Sequence, residues 1–163
     1  MIPSEIRDRL REGIGPVLVE HGFRGRSSTF SRQVDDVFHL VQLQGADDNS
    51  SEGARYTVNV AVWVPALASG PTPSVTDAHW QMRLGHLCPE RSDLWWEADD
   101  FAMADAAAHD IAARLQAHAL PALDRLKSAR NLLALWKTGE SPGLTRMQAN
   151  RFRLRLEGAR GAS

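Results

Sequence analysis

The sequence is poor in several residues that would narrow its function. In 163 residues it has one cysteine (Cys88), one tyrosine and only two lysines. A lone cysteine excludes an internal disulfide framework and any metal cage built from cysteines alone. No apolar run approaches the roughly 18 residues of a spanning helix, so no membrane segment is expected. The opening MIPSEIRDRLREG has no apolar h-region, so no signal peptide is expected and the chain reads as cytoplasmic. The signatures GxSxG, HExxH, GxxxxGK(S/T) and GxGxxG do not occur. No catalytic residue, cofactor or metal is therefore expected.

What is present is ordinary globular composition, 43% hydrophobic and 24% charged. A chain of this length buries about 68–70% of its unfolded surface as a single domain. The net charge of −1 conceals a separation along the chain. Residues 1–32 carry +2, residues 33–110 carry −10 and residues 111–163 carry +7. Either the acidic and basic segments are separate solvated faces, or the acidic middle engages a basic partner or the basic end an acidic one. No oligomeric state follows from this.

The patterning predicts an α+β fold. Ile6, Leu10, Ile14, Val17 and Leu18 recur at helical spacing over residues 3–21, with Ser4 as N-cap, a kink or split at Gly15-Pro16 and a Schellman end at Gly22-Phe23. The period then changes to two. Strands are expected near 29–34 and 37–44, joined by a tight turn at Asp35-Asp36. The acidic stretch 45–53 reads as an exposed, mobile loop. Along 55–64, Tyr56, Val58, Val60, Val62 and Val64 face one way and Arg55, Thr57, Asn59, Ala61 and Trp63 the other. Two further short strands are expected at 80–87 and 94–98. The rest reads as helical: one stripe runs from Phe101 to Ala119, Pro121 breaks the register, and a second stripe ends at Trp136. After the connector TGESPG, Thr145 and Gln148 fit a capping box, which favours a helix over a strand at 145–157. The expected architecture is an N-terminal helix, an antiparallel sheet of about five strands, and two or three C-terminal helices packed on one face. Residues 1–136 read as one domain, and 137–163 as a connector and basic helix packed on it or projecting from it.

The polar residues on the later strands form the best candidate binding group: Gln44, Asn59, Arg83, Asp93, Trp95 and Trp96. An arginine beside tryptophan and amides on a sheet can hold a carboxylate or phosphate by bidentate bonding and stacking. The bland alternative pairs Arg83 with Asp93 or Glu97. Trp95 and Trp96 cannot both point inward from one strand, so one should enter the core and the other reach the surface. His86 and Cys88 share a strand face near His79, but no second tight pair completes a four-ligand site. The Gly- and Arg-rich run 22–28 follows a helix rather than opening one, so it reads as a basic connection and not a phosphate cradle. Glu97, Asp99, Asp100 and Asp105 suit the start of a helix. Arg146, Arg151, Arg153, Arg155 and Arg160 lack interleaved aromatics apart from Phe152, so no nucleic acid is expected as partner.

Taken in order, His21-Gly22-Phe23, Ser28-Thr29-Phe30, Val41–Gln44, Thr57–Val60, Arg83-Leu-Gly85-His-Leu87 and Asp93-Leu-Trp95-Trp96 resemble the bacterial domain-of-unknown-function family 4304 over roughly residues 5–135. The resemblance implies a small soluble α+β domain and supplies no catalytic residues. Two functional readings result. The first is a non-enzymatic protein-binding module, immunity-type or regulatory, whose acidic middle meets a basic protein partner. The alternative is a small-molecule or phosphate binder, or an enzyme, on the polar sheet face, with Arg83 as anion clamp and His39 or His86 as acid/base.

Overall fold

The computed structural model describes residues 3–161. Helix α1 (Pro3–Glu20) is followed by strands β1 (Arg24–Arg26), β2 (Thr29–Val34), β3 (Val37–Gly45) and β4 (Arg55–Trp63). Then come β5 (Trp80–Arg83), the single turn α2 (Leu84–Leu87) and β6 (Trp96–Glu97). The chain ends in α3 (Phe101–Arg114), a π turn (Leu115–Ala119), α4 (Leu120–Asp124), α5 (Ala129–Lys137) and α6 (Arg146–Gly161). The strands make one antiparallel sheet in the order β1-β2-β3-β4-β5, and β6 pairs with β4 alongside β5. This is the expected α+β architecture.

Helix α1 forms because its apolar residues fall on one stripe, and Ile6, Leu10, Ile14 and Leu18 are all buried. Ser4 lies inside the first turn rather than capping it, and the helix runs through Gly15-Pro16 without splitting. It ends as expected. Gly22 takes φ +88°, while Phe23 N–H donates to Leu18 O at 3.0 Å and Gly22 N–H to Val19 O at 3.1 Å. Gly13 lets α1 lie close on α3, since a Cβ there would come 2.5 Å from the Ala108 Cβ. Arg9 clamps the rim of that contact with a fork onto Asp105 at 2.7 and 3.0 Å. The two helices and the π turn cover the sheet face that carries Val41, Tyr56, Val58, Val60 and Val62.

The remaining elements depart from expectation in three places. Residues 80–87 are a strand only as far as Arg83. The chain turns at Leu84-Gly85, where the Ser92 carbonyl and Leu94 pack so closely that no Cβ fits on Gly85. Residues 94–98 contribute only the two-residue β6. The 22–28 run contains β1, paired with β2 through Arg24↔Ser31 and Arg26↔Thr29. At Pro121 the register changes as expected: the π turn before it shifts the stripe while the helix continues, and Leu115, Ala119, Leu120 and Leu123 all remain buried. The 45–53 loop keeps Asp47, Asp48 and Glu52 exposed, but it is laced at its base. Asn49 Nδ2 donates to Arg55 O at 3.0 Å, and Arg55 N–H donates to Asn49 Oδ1 at 2.8 Å.

The C-terminal segment packs on the sheet end. Thr145 and Gln148 make both bonds of the capping box, at 2.9 and 3.1 Å. Gln81 N–H donates to Pro142 O at 3.1 Å, Arg155 donates to Leu67 O and Ala66 O, and Leu156 joins the main core. His79 meets Phe152 edge-on at 4.9 Å.

Candidate functional site

The outer face of the sheet is positioned by strand alternation and register. On β4 it carries Arg55, Thr57, Asn59, Ala61 and Trp63, opposite in direction to the valines. One end lies under the loop after β4, where Leu40, Ala61, Trp63, Val75 and Ala78 make a small second core. At the other end the segment before β6 crosses the face, fixed by Thr57 Oγ1–H donating to Leu94 O at 2.7 Å. Between these coverings lies a polar strip. Pairing sets Gln42 beside Asn59 and Asn59 beside Arg83, a row across three strands.

Within the strip the side chains satisfy one another. Asn59, 9% exposed, donates from Nδ2 to Gln44 Oε1 at 2.7 Å and to Gln42 Oε1 at 3.0 Å. Arg83, its side chain 30% exposed, reaches Asp93 Oδ1 at 3.3 Å. The other oxygen of Asp93 accepts from Trp95 Nε1–H at 3.1 Å. The Trp95 ring holds two cations, with Arg55 Cζ 4.9 Å and Arg83 Cζ 5.3 Å from the centroid. Beside Arg55 opens a hollow of about 300 Å³ whose lining includes Asp48, Glu97 and Asp99. Asp99 already accepts from Ala54 N–H at 2.9 Å, and Arg55 lies 3.8 Å from Asp48.

Five of the six candidate residues thus come together: Gln44, Asn59, Arg83, Asp93 and Trp95. Trp96 stands apart. Its partner in β4 is Tyr56, its ring packs on the main core, and its Nε1–H donates to Asp110 Oδ2 at 2.8 Å. Asp110 also accepts from Arg114, whose fork spans to Glu90 at 2.7 Å. The hydrogen bond to Glu90 raises the Arg114 guanidinium above its ordinary range and holds the Glu90 carboxyl below its own. Gln42, Arg55 and Thr57 belong to the strip as well. The alternation of β4 carried that signal for Arg55 and Thr57, and the 42/44 spacing carried it for Gln42.

Neither histidine considered as acid/base joins Arg83. His39 lies on the helix-covered face, fully buried, with its Nδ1 accepting from Arg32 Nε–H at 3.2 Å and its Nε2–H donating to Leu126 O at 2.7 Å. Burial lowers its pKa to about 4, so the ring is a neutral structural link. His86 sits exposed on α2. His79 is buried, accepts from Val64 N–H at 2.9 Å, and is also lowered to about 4 by burial. Among the described residues, no group of three His, Cys, Asp or Glu side chains is arranged to hold a metal, and no helix is long and apolar enough to cross a membrane.

The architecture defines a small α+β domain with one sheet face under helices and the other open between two loops. The chain belongs to the family described as domain of unknown function (DUF4304), which matches residues 14–125. That span takes in every strand and runs from the second half of α1 to the end of α4, leaving out α5 and α6. No curated protein and no solved structure matches the chain.

Proposed function

We propose that this domain is a non-catalytic protein-binding module, immunity-type or regulatory, of a bacterial cytoplasm. It holds a basic partner on the open sheet face and its acidic rim. The observation that supports the reading is the Arg55–Trp95–Arg83 cluster beside the hollow lined by Asp48, Glu97 and Asp99. Tryptophan and arginine are the residues most enriched at binding hot spots. The carboxylates next to them would take the lysine or arginine side chains of a partner. In this reading residues 1–136 form the recognition domain and 137–163 an appended element. Cys88, a buried free thiol, suits a reducing compartment.

The alternative, an anionic small molecule clamped by Arg83, has less support. The anion would have to displace Asp93, and neither His39 nor His86 is a partner of Arg83.

The test is affinity capture from native lysate with the wild type, with Trp95→Ala and with the pair Asp48→Arg, Glu97→Arg. A basic protein should be retained by the wild type at low salt, released as ionic strength rises, and lost from both variants. Equal retention by all three proteins would overturn the reading. So would capture of nothing while a metabolite raises the melting temperature.

A further inference from the structure

The connector and the last two helices lie beyond the span shared with the family, and between them is a second hollow. Its volume, about 520 Å³, falls within the range of small-ligand pockets. The wall takes Trp136 and Lys137 from α5, Ser141 from the connector, and Arg146, Asn150 and Arg153 from α6. Three of these carry positive charge, and no carboxylate is in the lining. Two acids lie near this lining without being part of it: Glu140, exposed, stands in the chain between the lining residues Gly139 and Ser141, and Glu157 lies 3.7 Å from Lys137.

Two donors of this wall are buried without acceptors. Trp136 is 6% exposed, its ring stacked on Phe152 at 6.3 Å, and its Nε1–H meets no hydrogen-bond partner. Arg153 Nε–H is in the same condition. Among the described residues the one other such atom is Arg11 Nε, so two of three gather here. Buried polar groups in native proteins nearly always have partners. An indole N–H and a guanidinium N–H can only donate, so each of these two buried atoms, on residues that line the hollow, lacks an acceptor. Cations on the wall and no lining carboxylate make an anionic acceptor the favoured one.

We propose that this hollow binds the oxyanion group of a small molecule, a carboxylate or a phosphate, independently of the sheet face. Arg146 and Arg153 supply the charge, Trp136 Nε1–H the buried directional donor, and Ser141 and Asn150 further hydrogen bonds. The volume leaves room for an organic body behind the anion, against the Trp136 ring and Ala149.

The indole N–H resonances of the full chain report on this directly, because there are five tryptophans and Trp136→Phe identifies the one that matters. The chain would be titrated at low salt with phenyl phosphate, benzoate and inorganic phosphate. The expected result is a saturable shift of the Trp136 signal with at least one probe, at a Kd below about 1 mM. Which probe acts distinguishes a phosphate from a carboxylate. Arg146→Gln and Arg153→Met should each weaken that binding by about tenfold or more, with the other four indole signals in place as evidence of folding. Arg146 is exposed, so its variant stays informative if the other misfolds. A Trp136 signal unmoved by all three probes, as for donors satisfied by water, would overturn the proposal. So would equal shifts in wild type and both variants.

Discussion

The two faces of the sheet solve burial differently. The helix-covered face is built from valines, Tyr56 and Leu43 against α1, α3 and the π turn, and its buried polar residue, His39, is fixed by hydrogen bonds from Arg32 beside it and to Leu126 O. The open face buries less and bonds more. Asn59, Gln42 and Gln44 share a donor, Arg83 pairs with Asp93, and Trp95 lies beneath two guanidinium groups. Removal from water is worth about 25 cal/mol per Å² of apolar surface, whereas a half-exposed ion pair is worth about 1 kcal/mol or less. Stability should therefore reside mainly on the first face and in the small second core around Trp63, and least in the polar strip between.

The sharpest attempt to break that contrast is a cavity on the covered side. Leu10→Ala should cost about 2–5 kcal/mol in urea unfolding. A loss under about 1 kcal/mol would show that α1 contributes little to the core. Next is the α1–α3 approach. Gly13→Leu must push Ala108 aside and should cost about 1–3 kcal/mol.

A third test uses acid. His39 and His79 have pKa values lowered to about 4 in the fold, against 6.5 for the ordinary side chain. As pH falls below 6.5 the unfolded chain binds protons first, so stability is lost between pH 6.5 and 4 and this contribution levels off below 4. The slope should approach about 1.4 kcal/mol per pH unit for each ring, and His39→Gln should flatten it. A melting temperature that stays constant across that window would contradict the buried neutral state. The smallest effect belongs to the open face. Arg83→Met should change stability by less than about 1 kcal/mol, and a double-mutant cycle with Asp93→Asn would measure the pair itself.

Where the determinants are local, the sequence was readable. The stripe of α1, its Gly22-Phe23 end, the 35–36 turn and the Thr145–Gln148 box depend on neighbours within five residues, and each forms as expected. Two local signals misled, Ser4 as N-cap and a split at Gly15-Pro16, and the other misreadings occurred where distant chain decides. Gly85 turns because the Ser92 carbonyl occupies the space its side chain would need, and β1 exists only because β2 pairs with it. For the candidate site, alternation could group Thr57 with Asn59, and Gln42 with Gln44. Bringing Asn59 beside Arg83 required the β4–β5 register, and the choice between Trp95 and Trp96 required the Tyr56↔Trp96 pairing.

The bond from Gln81 to Pro142 has a further consequence. β5 ends the sheet, and an unpaired edge offers backbone N–H and C=O groups to any strand that arrives. The connector occupies part of that edge, with Gly143 seated against Gln81 so closely that no Cβ fits. Removing the tail beyond Lys137 would uncover that edge. A chain cut after that residue should keep its helical signal from α1 and α3 but form concentration-dependent oligomers in sedimentation, joined strand to strand through β5.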